Sequence, residues 1–122
     1  MSENCVMYIL VNKEFLSRMS KGKCAAQVAH SACKASRLAE HTIETSDTYK
    51  WWHEWWGGLY TKIILKASEF EIRELMKKYP TLCRETFDEG LTEIPKGSLT
   101  TLAFIPMPRD KAPEEIRKLS LL

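Results

Sequence analysis

Residues 5–11, CVMYILV, limit the fold more than any other stretch of the chain. The run is apolar without interruption and rich in β-forming residues. Lacking alternation, it reads as a strand buried on both faces. Such a strand needs covering layers on two sides, and the sequence after it supplies them. Residues 21–44 are long and helical in period. Residues 46–58, SDTYKWWHEWWGG, open on Ser46 or Asp47 as N-cap and stop at two glycines, giving a shorter helix. Residues 59–67 read as a strand. Residues 68–80 open with the Ser68–Glu71 capping-box pattern and end at Pro80, another helix. A weaker strand at 81–87, a turn-rich loop at 88–98, a strand at 99–107 and a short helix at 112–119 complete the order.

Strands separated by helices predict an α/β protein with a largely parallel sheet, and right-handed crossovers put helices on both faces. The last two strands are joined by a loop with no helix, so that pair is expected to be antiparallel. The expected fold is a three-layer α/β/α sandwich around a mixed four-stranded sheet, a single domain over 1–122. At 122 residues and 44% hydrophobic, the chain can build a core without disulfides or metal. The four cysteines have neither CxxC nor zinc-finger spacing, and the apolar runs are too short to span a membrane. Scattered thiols without a signal peptide predict a cytoplasmic protein with no metal site and no cofactor. A net charge of +2 does not by itself imply nucleic acid.

Charge arrangement is more telling. At about 100° per residue, Ala25, Val28, Ala29, Ala32, Ser36 and Ala39 share one side of the first helix, expected to pack on the sheet. Lys23, Gln27, His30, Lys34, Arg37 and His41 share the other, in a stripe about 80° wide with no acid in it. A plain solvated face would usually mix signs; a uniform cationic ridge also suits a row of phosphates. Gly22 and the helix N-terminus would let an anion come close.

The segment MSKGKCAAQVAHSA resembles the M-x-K-G-K-x-A-A-Q-x-x-H-A signature of the Pth2-type peptidyl-tRNA hydrolases, the Bit1 family. WHEWWGGLYTKIILK is similar to that family's Trp-rich segment and following strand. DEGLTEIPKGSLTTLAFIPMP resembles its D-A-G-x-T-Q loop and final strand, and LSLL its usual ending. Three motifs stand in the family's order and spacing. The chain departs from the pattern at Glu89, Glu93 and Ile105, where the family usually has Ala, Gln and Gly, and around residues 112–117.

The resemblance implies hydrolysis of the ester joining a peptide to the terminal ribose of tRNA, with no cofactor. It puts the site at Lys23, Gln27, His30, Asp88, Thr92 and Thr100. Asp88 would orient water, act as base or hold Lys23; Lys23 would meet the oxyanion or terminal phosphate; Thr92 and Thr100 would position water or ribose; Gln27 would orient the ester or the adenosine end; His30 would pass a proton or serve structurally. Lys21, Lys34 and Arg37 are the expected tRNA contacts. Taken alone, Asp88 is also ordinary turn chemistry, and the two threonines ordinary strand residues. Cys24, beside Lys23 and a helix start, is read as an inert buried thiol rather than an activated one. The tryptophans at 51, 52, 55 and 56 are read chiefly as core anchors; a base-stacking platform or a homodimer contact are the other uses. The rival functions are a non-catalytic tRNA- or protein-binding module, favoured by Glu89 and Glu93, and a hydrolase of another acyl ester.

Overall fold

The computed structural model describes residues 4–89 and 93–122. Its elements are β1 (Cys5–Asn12), α1 (Lys21–Glu40), α2 (Asp47–Gly57), β2 (Lys62–Ala67), α3 (Glu69–Lys78), β3 (Cys83–Phe87), β4 (Leu99–Phe104), β5 (Met107–Pro108), α4 (Glu114–Arg117) and β6 (Ser120–Leu121), with a 3-10 segment at Lys13–Arg18.

β1 is buried at all eight positions. Its alternation sends Met7 and Ile9 to one side, against Ala32 and Ala35 of α1 and Trp55 of α2. Val6, Tyr8 and Leu10 go to the other, with Ile72 and Leu75 of α3 and Ile116 of α4. Helices therefore cover both faces of the sheet, as an all-apolar central strand requires. Ile105, the residue at the departure from the usual glycine, is buried in the same core as α3.

The sheet runs β3-β4-β1-β2-β6, with β5 paired to the start of β1. β1 and β2 pair in parallel, in the register Ile9↔Ile64; β4, β5 and β6 pair antiparallel with their neighbours. The expected largely parallel sheet is corrected: helical crossovers leave β1, β2 and β3 running the same way, but β4 inserts between β3 and β1 antiparallel to both, and the short β5 and β6 also pair antiparallel. The antiparallel β3–β4 pair is as expected. Six strands replace four: the long strands form the core of the sheet, and the two-residue β5 and β6 add to it.

Local signals set the helix ends. Ser46 accepts from Tyr49 N (3.3 Å) and is the N-cap of α2. Ser68 and Glu71 form the capping box of α3 in both directions. α1 stops at Glu40 rather than running to residue 44, since the Thr42 hydroxyl takes the Ala39 carbonyl (2.6 Å) and turns the chain out of the helix. α4 is shorter than the expected 112–119, because Ser120 leaves to pair with Lys66 of β2.

Candidate active site

The β3–β4 ladder contains an irregularity that shapes everything around it. Thr86 pairs with Thr101, yet Phe87 pairs with Leu99, so Thr100 is one extra residue on β4. Strict alternation would point Thr100 and Thr101 to opposite faces. The bulge turns both toward α1. The Thr101 hydroxyl donates to Gln27 O (2.9 Å), and the Thr100 hydroxyl lies 2.5 Å from Gln27 Oε1 and 3.1 Å from Thr86 O. With one proton to give, Thr100 gives it at the shorter contact. The Gln27 amide is thereby oriented, its nitrogen left to donate.

Beneath this contact lies a fully buried set of hydroxyls. Ser31 Oγ is 2.7 Å from both Thr86 Oγ1 and Thr101 Oγ1. The small and hydroxylic residues of α1 let the helix come this close to the sheet.

Past the bulge, the ladder continues into the loop. Asp88 N donates to Ser98 O (2.8 Å) and Gly97 N to Asp88 O (2.7 Å). Gly97 has φ +85, the left-handed turn that closes this loop and favours glycine. Asp88 is thus fixed by its backbone, and its carboxylate, 1% exposed, is ion-paired with the ammonium of Lys23.

α1 brings Lys23 to that carboxylate through its own N-terminal geometry. Ser20 is the N-cap and accepts from Lys23 N (3.2 Å). In a capping box, an acidic or amide side chain three residues on would reach back to the cap N–H. Here that position is Lys23, and the partner comes from the loop instead: Ser20 N donates to Glu93 Oε1 (2.7 Å). Glu93 therefore ties the loop to the helix start that carries Lys23.

Lys23, Gln27, His30, Cys33, Lys34, Thr86, Phe87, Asp88 and Glu89 line a cleft of about 530 Å³. The structure thus joins Lys23, Gln27 and Asp88 with Thr100 behind them, and puts His30 on the exposed wall. Thr92 lies outside the described residues. Lys34 and Arg37 are exposed and share a second groove with Arg84 and Glu85, where Lys34 Nζ donates to Glu85 O (3.0 Å). Lys21 sits on the other flank of α1, near Cys24 and Val28.

The helix-wheel reading needs correction. Gln27 is buried, while Ala25 and Ala29 are exposed. The face on the sheet runs through Gln27, Ser31, Ala35 and Ala39, because Gln27 and Ser31 find hydroxyl partners in β3 and β4. Cys24 follows the inert reading: burial pushes its thiol up, the opposite of activation. Sequence reasoning missed Ser31, Thr86 and Thr101; a cluster of hydroxyl residues in elements expected to pack together was the available signal. Among the described residues, no three His, Cys, Asp or Glu side chains gather as a metal would require.

The family model for "Peptidyl-tRNA hydrolase PTH2" matches residues 5–122. The chain belongs to this family. A peptidyl-tRNA hydrolase of Staphylothermus marinus is 35% identical over 109 residues, covering 86% of each chain. One from Thermococcus sibiricus is 37% identical over 97 residues, covering 76% of this chain and 78% of its own. A probable peptidyl-tRNA hydrolase 2 of Dictyostelium discoideum is 32% identical over 107 residues, which are 84% of this chain and 49% of that protein. Against the PTH2 pattern, the acid at Glu93 is not a loose charge: its carboxylate is occupied by the Ser20 N–H.

Proposed function

We propose that this protein hydrolyses the ester of peptidyl-tRNA, releasing peptide and free tRNA, and that its 122 residues act as one catalytic domain. The observation that carries the assignment of the site is the buried Asp88 carboxylate, paired with Lys23 at the wall of a polar cleft in a chain of the PTH2 family. Asp88 accepts a proton from the attacking water as the water oxygen bonds to the ester carbon. Lys23, held at the same place, stabilises the negative charge that develops on the carbonyl oxygen. The Gln27 amide, oriented by Thr100, donates to the ester or the terminal nucleoside. Collapse breaks the bond to the ribose oxygen, which takes up the proton, leaving a carboxylic acid and a ribose hydroxyl. His30, exposed on the cleft wall, can pass the product acid's proton to solvent. Lys34 and Arg37 lie exposed further along α1, where they can meet the phosphates of the acceptor end.

None of the described helices is long and apolar enough to cross a membrane. Four free cysteines fit the reducing cytoplasm in which we place the reaction.

The test is hydrolysis of an N-acetyl-aminoacyl-tRNA beside the same tRNA with a free α-amine. The blocked ester is expected to be cleaved and the free one spared, since Lys23 at the site repels an ammonium. Equal cleavage of both would indicate a broader esterase. Saturable tRNA binding by folded protein without release of the acyl group would leave only a binding module.

A further inference from the structure

The WWHEWW segment divides into buried and exposed rings. Trp55 is 2% exposed and its Nε1 donates to Thr61 O (2.8 Å). Trp52 packs against the core and its Nε1 donates to Ser36 Oγ (3.0 Å). Both serve as the core anchors expected of them. Trp56 does not. It is 56% exposed, lies parallel to Trp52 within 5° at a centroid distance of 6.3 Å, and has Tyr60 at 5.6 Å.

Tyr60 is held there against its backbone preference. Its φ is +35, a left-handed value uncommon for a bulky residue. Its N–H donates to Trp55 O (3.0 Å). The Lys62 ammonium lies 5.4 Å from the Trp55 ring and 5.3 Å from the Tyr60 ring.

Trp55 and Trp56 border a cleft of about 530 Å³ between α1 and α2, whose walls include Arg37, His41 and Lys62, with Glu40 as the acidic side chain. Cys33 lines both this cleft and the catalytic one, and Arg37 lines both this cleft and the groove of Lys34 and Arg84. The catalytic cleft and the aromatic cleft therefore flank α1 and meet over its outer surface. From Lys23 to Arg37, the helix climbs about 21 Å at 1.5 Å per residue.

We infer that the aromatic cleft binds unpaired nucleotides of the RNA: a base stacks on Trp56 beside Tyr60, while Arg37 and Lys62 meet the flanking phosphates. The inference rests on the peptidyl-tRNA reading for the identity of the RNA. Exposed rings bordered by cations are the chemistry that tracks single strands. The excess of cationic groups over the one acid, Glu40, favours a polyanion over a protein strand or a second copy of the chain. An RNA whose terminal ester lies at Lys23 reaches this cleft with bases a few nucleotides upstream, across the ridge formed by Lys34 and Arg37.

Trp56→Ala and Trp56→Phe would be compared with wild type on two substrates, N-acetyl-aminoacyl-tRNA and N-acetyl-aminoacyl-adenosine, and by anisotropy with labelled deacylated tRNA. Trp56→Ala should weaken tRNA affinity and raise KM for the tRNA substrate by about 5- to 100-fold, with kcat nearly unchanged. It should leave hydrolysis of the adenosine ester at the wild-type level. Trp56→Phe should restore most of the loss. Unchanged tRNA affinity in a folded Trp56→Ala protein would overturn the inference, as would equal loss on both substrates. A change of sedimentation state with tRNA affinity intact would assign the rings to a second copy and equally overturn it. If wild type cleaves neither substrate, the hydrolase reading falls, and the deacylated tRNA titration still decides this one.

Discussion

The ammonium of Lys23 rests on the carboxylate of Asp88, which has almost no other access to solvent. The pair joins a helix start to a loop, beside the second tie from Ser20 N to Glu93. Removing Lys23 alone takes the cation from a buried carboxylate; Lys23→Ala is expected to cost about 3 kcal/mol of stability. Asp88→Asn keeps the shape and removes the charge, so it should lower turnover by about 100-fold or more with little change in tRNA binding. In the double variant, the stability lost with Lys23 should largely return, as read by denaturant unfolding. Additive losses would show that the two groups are not coupled.

Thr100 governs the orientation of the Gln27 amide. Thr100→Val keeps the branched shape and removes the hydroxyl, leaving a buried amide oxygen without its donor at a cost of about 1–3 kcal/mol. Turnover should fall with it, and Thr100→Ser should retain both stability and activity. A fully active Thr100→Val protein would remove the amide from the reaction.

Lys34 and Arg37 project from the exposed side of α1. If both meet phosphates, the slope of log affinity for tRNA against log salt should flatten by about 2 in the Lys34→Ala/Arg37→Ala protein. An unchanged slope would return them to an ordinary solvated face.

Burial holds the thiol of Cys83 up to about 12, against an ordinary value of 9.0. The unfolded chain ionises this group first as pH rises. Its contribution to stability is therefore whole below the unfolded value and is lost progressively above it. Between about pH 8 and pH 10, Cys83→Ala should lose stability less steeply than wild type, by a difference that grows toward 1 kcal/mol per pH unit. Parallel pH profiles in chemical denaturation would contradict this.

Much of this architecture can be read directly from the chain. The unbroken apolar β1 demands helices on both sides, and the box at Ser68 and Glu71 fixes the start of α3. Lys23 and Asp88 are visible through the family motifs, and the structure pairs them. Gln27 is legible as a site residue but not as a buried one. A helix wheel places polar side chains outward, and only Thr100 and Thr101, distant in sequence, make its burial favourable. Ala25 and Ala29 mislead for the opposite reason, since a methyl group gives a helix little preference for either side. The bulge at Thr100 leaves no local mark, because it arises from the pairing of β3 with β4. The parallel and antiparallel choices depend likewise on partners. The Glu93 tie to Ser20 looks from sequence like a loose acid near an anionic substrate.

The three hydroxyls of Ser31, Thr86 and Thr101 also constrain how such a chain can drift. Ser31 meets both threonine hydroxyls in a buried space. Losing Ser31 takes a partner from both threonines, whereas exchanging all three for apolar groups of like volume can be nearly neutral. Descendants of this sequence are thus expected to keep the trio whole or to replace it whole. Chains with Ser31 alone replaced are the ones expected to be disfavoured.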